Sequence, residues 1–161
     1  MSNPSAAPDE LSYVGFWPRV GAALIDTVIV MVVLELLQRV LGLDVELPDS
    51  ALADPNALSA FLNDPRIWQQ LALSLLLPAV AVILLWRLLK ATPGKMVIGA
   101  EVVDAKTLGP LSPGQSTLRY LGYLVSTLPL GLGFVWVGID ARKQGFHDKI
   151  AGTLVIRKRS K

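Results

Sequence analysis

Three long apolar blocks constrain what this chain can fold into. They run over residues 20–43, 67–89 and 120–139. Because a helix rises ~1.5 Å per residue, each of the first two blocks is long enough to cross the ~30 Å hydrocarbon core of a bilayer. Only 17% of the 161 residues are charged, whereas soluble domains carry about a quarter, and the mean hydropathy is +0.50. The blocks predict an all-α membrane protein and exclude a disordered chain.

The first two blocks predict transmembrane helices over about residues 18–42 and 67–90. Around them, the chain is expected to divide into a mobile tail over residues 1–12, one membrane domain over residues 13–158 and a basic end over residues 159–161. This arrangement gives a multi-pass protein embedded in the lipid bilayer.

The loops between the blocks differ in charge. Residues 44–66 carry five acids and one base, residues 87–119 five bases and two acids, and residues 140–161 seven bases and two acids. Because Lys and Arg are enriched in cytoplasmic loops, the first loop is predicted outside and the two basic regions inside. Two spans then also place the N-terminus in the cytoplasm. The expected location is the bacterial cytoplasmic (inner) membrane.

The third block does not fit a simple span. Pro129 and Gly133 divide it into pieces of roughly ten residues, each too short to cross a bilayer. Ser112 and Gln115 fit a capping box, which starts a helix near Pro113. The block over about residues 113–140 is therefore expected to be a broken helix or a re-entrant hairpin. A plain third span, which would put the basic tail outside, remains an alternative.

Two stretches rich in β-branched residues flank this third block. Residues 96–103 and 153–157 are predicted to be strands. If they pair, both lie on the same side of the membrane, which favours re-entry over a third span. The sequence therefore predicts a small cytoplasmic β pairing beside the helices.

Charged residues inside the apolar blocks are candidates for function. Asp26 lies in the first span, where a charge costs at least a few kcal/mol and usually has a partner and a role. Arg19 shares its helix face, ~10 Å away along the axis, and Arg87 lies near the inner end of the second span. We expect these residues to form a polar cluster in the cytoplasmic half of the membrane that relays a proton or binds a cation or a charged solute. The alternative is that Asp26 is a structural anchor that pairs with Arg87 or caps a backbone group of the tail. Glu35 and Arg39, four residues apart, are expected to neutralise each other.

Signals for catalysis or metal binding are weak. His147 is the single His, and its neighbour Asp148 is expected to tune it, cap a helix or bind a nearby Arg. One His-Asp dipeptide does not supply the convergent ligands of a metal site. The absence of Cys excludes disulfides and metal–thiolate sites. We therefore expect no enzyme, no cofactor and no nucleic-acid partner, because the basic residues adjoin apolar blocks and suit a membrane surface.

Short motifs follow one another along almost the whole chain. They are Gly15-Phe16-Trp17-Pro18-Arg19, Ile25-Asp26, Thr92-Pro93-Gly94-Lys95, Gly99, Val102-Val103-Asp104, Leu111-Ser112, Arg119 and the run from Phe146 to Thr153. Together they resemble the RDD family of small bacterial membrane proteins. The family is named for one Arg and two Asp, and the resemblance implies that these are Arg19, Asp26 and Asp148, with Asp140 a weaker match for the last.

The resemblance implies two or more membrane segments and a role related to transport, since some family members are described as sodium/proton antiporters. If the strands pair, Asp148 is brought towards Arg19 and the two residues form a clamp. The expected function is movement of an ion or small solute, in a homo-oligomer or with a membrane protein partner. The alternative is a non-catalytic scaffold or assembly factor that binds a partner or anionic lipid through its basic cytoplasmic face.

Overall fold

Two long helices dominate the computed structural model, which describes residues 11–43 and 45–158. They are α1 (Phe16–Leu41) and α3 (Pro65–Leu88). Both are long and apolar enough to cross a membrane. Their bounds lie within two residues of the expected ones, so the two predicted spans are confirmed.

The chain divides into two compact units, of which one comprises residues 27–80. In this unit a short 3-10 helix (Asp49–Leu52) and α2 (Pro55–Leu62) connect the two long helices. Gln38 of α1 donates a hydrogen bond to Ser74 of α3 (Nε2 to Oγ, 2.9 Å). Such hydrogen bonds between apolar helices stabilise helix pairs in lipid.

The second unit runs up to Asp26 and continues from Ala81, and it contains a three-stranded sheet. The strands β1 (Leu11–Tyr13), β2 (Glu101–Asp104) and β3 (Thr153–Lys158) are antiparallel, with β3 in the centre. The larger apolar cluster of the unit includes residues of this sheet and comprises Val14, Trp86, Ala100, Val102, Leu111 and Val155, and a second cluster comprises Val103, Leu154 and Ile156. Three segments far apart in the sequence therefore share one core.

The predicted strand over residues 96–103 is wrong over residues 96–100, because β2 begins at Glu101. Met96 and Val97 instead lie in α4 (Pro93–Val97), a short helix whose N-cap is Thr92. Proline is favoured in the first turn because its φ is already helical and its missing N–H is not needed there. Gly99, with φ +65°, then turns the chain into β2, which pairs with β3 as expected.

The predicted mobile tail over residues 1–12 is also wrong at its end. Leu11 and Ser12 belong to β1 and pair with Lys158 and Arg157 of β3. A three-residue strand carries too short a pattern to be recognised alone, and its partner lies at the other end of the chain. The rest of that tail, and the basic end over residues 159–161, lie outside the described residues.

The third apolar block is a bent pair of helices, as predicted. The helices α5 (Pro113–Thr127) and α6 (Leu132–Ile139) meet at 101° across a break of four residues. The capping box of Ser112 and Gln115 is present at the start of α5. At the bend, a Cβ on Gly133 would lie 2.5 Å from the Cα of Ser126, so the two helices need glycine there. The last helix, α7 (Phe146–Ala151), leads into β3.

Candidate functional site

Asp148, in the first turn of α7, is fully buried and joins three elements. Its Oδ2 accepts hydrogen bonds from Arg19 of α1 (2.6 Å) and from the backbone N–H of Gly145 (3.0 Å). Its Oδ1 accepts from Arg119 of α5 and from the Oγ1 of Thr153 (3.3 Å). We call Arg19, Asp148 and Arg119 the arginine–aspartate cluster.

The charges of this cluster keep Asp148 ionised. Burial on its own raises the pKa of the Asp148 carboxyl, because a charge is less stable away from water. The positive charges of Arg119 and Arg19 outweigh burial, and the pKa lies well below its ordinary value. Asp148 is therefore a carboxylate whose negative charge is fully compensated, which suits it to holding helices together.

Each arginine of the cluster is also held by a second contact. Arg19 donates from Nε to the carbonyl of Val14 (2.9 Å) and from its other terminal nitrogen to the carbonyl of Lys143. The guanidinium of Arg119 lies 5.0 Å from the ring centroid of Trp86, at cation–π distance. These contacts fix both side chains in the geometry that Asp148 requires.

His147 lies beside the cluster and is buried between two aromatic rings. Its ring centroid is 4.7 Å from that of Tyr123 and 5.2 Å from that of Phe134. Its Nδ1 is 3.1 Å from the Oγ of Ser126, and its Nε2 is 3.6 Å from the Oδ2 of Asp148. The hydroxyl of Ser126 donates to the carbonyl of Gly122 (2.9 Å), so its Oγ acts as an acceptor towards His147, and a proton on Nδ1 completes this hydrogen bond.

The surroundings of His147 keep its ring neutral. Burial lowers its pKa to about 3, and the charges of Arg119, Arg19 and Lys95 act in the same direction, against the opposing effect of Asp148. At neutral pH the ring carries no charge. His147 therefore acts as a packed hydrogen-bonding ring that joins α7 to α5.

Asp26 lies outside this cluster and has different partners. Its Oδ2 accepts from the hydroxyl of Thr92 (2.5 Å) and its Oδ1 from the backbone N–H of Gly94 (2.7 Å). Asp26 thereby caps the first turn of α4. Lys95, only 8% exposed, places its Nζ 3.4 Å from the same Thr92 hydroxyl. We call Asp26, Thr92 and Lys95 the Asp26 site.

Close backbone contact holds the Asp26 site together. A Cβ on Gly94 would lie 2.0 Å from the carbonyl oxygen of Ala22, so only glycine fits where α4 meets α1. Each residue of the motif over residues 92–95 thus has its own part. Thr92 supplies a hydroxyl donor, Pro93 starts the helix, Gly94 allows the close approach and Lys95 supplies a buried ammonium. The same close approach brings the N–H of Gly94 within reach of Asp26.

The structure brings together some of the predicted residues and separates others. Arg19 contacts Asp148, as the clamp requires, and does not contact Asp26. Arg87 is exposed, and no ion pair joins it to Asp26 within the described ranges. Asp26 caps a backbone group, but the group belongs to the start of α4 and not to the tail. Asp140 lies apart from the cluster and pairs with Lys149.

Three residues that form these two sites are not predicted from the sequence as site residues, namely Arg119, Thr92 and Lys95. Arg119 is buried in an apolar helix, and the cost of a charge there is the same signal that drew attention to Asp26. Thr92 precedes Pro93, a combination typical of an N-cap. Lys95 gave no such signal, because lysines at the end of an apolar segment are usually exposed.

The arginine–aspartate cluster and the Asp26 site both fall within residues 13–152, which match the RDD family. The chain is 38% identical over 72 residues to the uncharacterized protein RP437 of Rickettsia prowazekii (strain Madrid E), covering 45% of this chain and 39% of that protein. It is 33% identical over 70 residues to the uncharacterized protein YxaI of Bacillus subtilis (strain 168), covering 44% of this chain and 45% of that protein.

The matched segment spans less than half the length of each of these curated relatives. No solved structure matches the chain. The family match covers most of the chain, and the two long apolar helices agree with it. The chain is therefore a membrane protein that belongs to the RDD family.

Proposed function

We propose that this protein takes part in the movement of an ion or small solute across the bacterial cytoplasmic membrane. The observation that supports this proposal is the state of Asp26. Its carboxylate is half-buried on an apolar helix, its two hydrogen-bond donors are neutral groups, and no Arg or Lys forms an ion pair with it within the described residues.

The contrast with Asp148 assigns different roles to the two carboxylates. Asp148 is paired with two arginines, so a proton or cation would have to displace a strong ion pair to bind there. Asp26 lacks such a partner, and a carboxylate at membrane depth becomes more stable when it binds a proton or a cation. We therefore assign ion or solute binding to Asp26 and structural support to the arginine–aspartate cluster.

Lys95 gives the Asp26 site a second charge. It reaches the carboxylate only through the hydroxyl of Thr92, which donates to Asp26 and accepts from Lys95. A cation that binds Asp26 would disturb this chain of hydrogen bonds. Thr92 therefore couples the occupancy of Asp26 to the position of the buried ammonium.

The proposed topology follows from the sheet. Because β1, β2 and β3 belong to one sheet, the proposed topology has them on one side of the membrane, with the bent pair α5–α6 re-entering between β2 and β3. The excess of Lys and Arg in the segments around β2 and β3 supports a cytoplasmic location for this side and for the N-terminus. Two spans and a hairpin are too few to enclose a path, so the proposal includes a homo-oligomer or a membrane protein partner.

The proposal is tested by ion flux into liposomes that contain the purified protein. Proton, sodium and potassium gradients are imposed in turn and followed with dyes for pH and membrane potential. Asp26→Asn is expected to abolish the flux seen with the wild type, because Asn keeps an oxygen for the N–H of Gly94 but has no charge. The control is Glu35→Gln, which removes an acid from the same helix where Arg39 already pairs with it at 2.7 Å. This control is expected to keep the flux.

Correct folding of Asp26→Asn is checked by its elution volume and its thermal unfolding in detergent. Equal flux in Asp26→Asn and the wild type would refute the assignment of Asp26. Lack of flux in the wild type under all three gradients would refute ion transport.

A scaffold role is the second candidate. The exposed basic side chains of Lys106, Arg142 and Lys149 favour it, because they suit an acidic partner or anionic lipid. A partner captured with tagged protein would then survive Asp26→Asn. It would be lost when these three basic residues are replaced. Neither candidate assigns a catalytic step to the protein.

A further inference from the structure

An open cavity of about 530 Å³ lies between the β2–α5 turn and α7. This volume is within the range of about 300–1,000 Å³ that small-molecule sites occupy. Both described sites, the arginine–aspartate cluster and the Asp26 site, lie outside its lining. The side chains that matter for its chemistry are Asp104, Lys106, Gln115, Arg142, Lys149 and Ile150.

The charge of this cavity is positive. Lys106, Arg142 and Lys149 contribute three cations, against the single acid Asp104. The oxygens of Asp104 are already used by its own neighbourhood. Its Oδ1 accepts from the backbone N–H groups of Lys106 (2.8 Å) and Thr107 (2.7 Å), and its Oδ2 accepts from the Gln115 amide. Asp104 therefore organises the turn and forms no ion pair with the cations within the described ranges.

The three cations are held in different ways. Arg142 donates one N–H to the carbonyl of Ala105 (3.3 Å), which positions its guanidinium beside the turn. Lys149 pairs with Asp140, so part of its charge is compensated. Lys106 and Arg142 form no ion pair with an acid in the part of the chain that the structure describes. The uncompensated charge of the cavity thus comes from these two residues.

We propose that this cavity binds a phosphate group. A planar guanidinium with free N–H groups binds the oxygens of a phosphate in a bidentate manner, and a nearby ammonium adds charge. The cavity also adjoins the first turn of α5, the start of the apolar bent pair, and Ile150 in its wall is 46% exposed. This setting suits both a lipid headgroup and a free phosphate compound. The inference is independent of the proposed transport and deepens the scaffold candidate, with which it shares these basic residues.

The test measures binding to purified protein in a zwitterionic detergent. The probes are phosphatidylglycerol, phosphatidylcholine, sn-glycerol 3-phosphate and inorganic phosphate, and the readouts are thermal stabilisation and binding of the lipids by native mass spectrometry. Lys106→Gln with Arg142→Gln is expected to weaken phosphatidylglycerol binding about tenfold or more, because two charge-assisted hydrogen bonds are lost. The control, Arg66→Gln with Arg157→Gln, removes the same charge outside the cavity and is expected to bind like the wild type.

The outcomes separate the sources of the phosphate. Loss of phosphatidylglycerol binding, with no binding of the two soluble phosphates by the wild type, identifies a lipid headgroup site. Loss that extends to the soluble phosphates identifies a site for a free phosphate compound. Equal binding by the cavity variant and the control overturns the inference. If the double variant fails to fold, Arg142→Lys serves instead, since it keeps the charge and loses the bidentate geometry; unchanged binding by this variant likewise overturns the inference.

Discussion

The two carboxylates show that the same side chain type has opposite roles in different surroundings. Asp148 has no exposed surface and is bonded to two arginines, a backbone N–H and a hydroxyl. Asp26 is half-buried and has two neutral donors. A buried charge that loses its partner is costly, whereas a carboxylate without an ionic partner can change its occupancy. The partners of each carboxylate therefore distinguish the structural role of Asp148 from the proposed ion-binding role of Asp26.

Asp148→Asn is expected to destabilise the protein by about 3–5 kcal/mol, because it leaves two buried arginines without a compensating charge. Arg119 is 1% exposed and the side chain of Arg19 is 11% exposed, so water does not replace the carboxylate. The measurement is the free energy of unfolding in detergent. The matched control is Asp140→Asn, whose partner Lys149 is 45% exposed, and a loss below about 1 kcal/mol is expected there. Similar losses in both variants would contradict the central role of the cluster.

The pH dependence of the same unfolding gives a second readout. Because the pKa of Asp148 is lower in the folded than in the unfolded protein, its stabilisation is complete above the ordinary carboxyl pKa of about 4. This stabilisation is lost as the pH falls through the pKa that Asp148 has in the folded protein. Asp148→Asn should remove this part of the loss of stability at low pH. The same loss of stability in the variant as in the wild type would argue against Asp148 as its source.

The helices and strands differ in how well the sequence predicts them. Elements formed by local interactions are predictable, whereas those formed by contacts between distant segments are not. The helices α1 and α3 follow from hydropathy alone, and the start of α5 follows from the local capping box of Ser112 and Gln115. The strand β1 was not predictable, since its three residues are ordered by pairing with β3. The strand predicted over residues 96–103 begins only at Glu101, because Pro93 and the N-cap Thr92 start a helix that continues to Val97 and that β propensity does not reveal.

Gly94→Ala is expected to destabilise the contact between α1 and α4 by about 1–3 kcal/mol or more, because its Cβ would lie 2.0 Å from the carbonyl oxygen of Ala22. Backbone cannot move aside as a flexible side chain does. The measurement is thermal unfolding in detergent. The matched control is Gly138→Ala in α6, where a Cβ meets no atom within 4 Å and a neutral or stabilising effect is expected. A Gly94→Ala variant as stable as this control would show that the close approach is not required.

For the whole molecule, the central strand β3 decides which parts of the site can meet. It pairs with β1, immediately before α1, and with β2, after α4, while α7 immediately precedes it. The contact between Arg19 and Asp148 therefore joins positions 129 residues apart. The order of the motifs suggested this contact through the expected strand pairing, but the contribution of Arg119 could not be located without knowing how α5 packs against α7. Long-range packing, which no local pattern encodes, completes the site.

The topology is tested by the side of the membrane on which three positions react. The chain has no native Cys, so Asn56→Cys, Lys106→Cys and Ser160→Cys each give a single site. An impermeant maleimide applied to intact spheroplasts is expected to label Asn56→Cys alone, because in the proposed topology α1 and α3 cross the membrane and the loop between them lies outside. Lys106→Cys and Ser160→Cys should label only after lysis, because in the proposed topology the bent pair between β2 and β3 returns to the same side. Labelling of Ser160→Cys in intact spheroplasts would make the third block a true span. Since a span would place the strands that flank it on opposite sides, the contact between Arg19 and Asp148 could not form in the membrane.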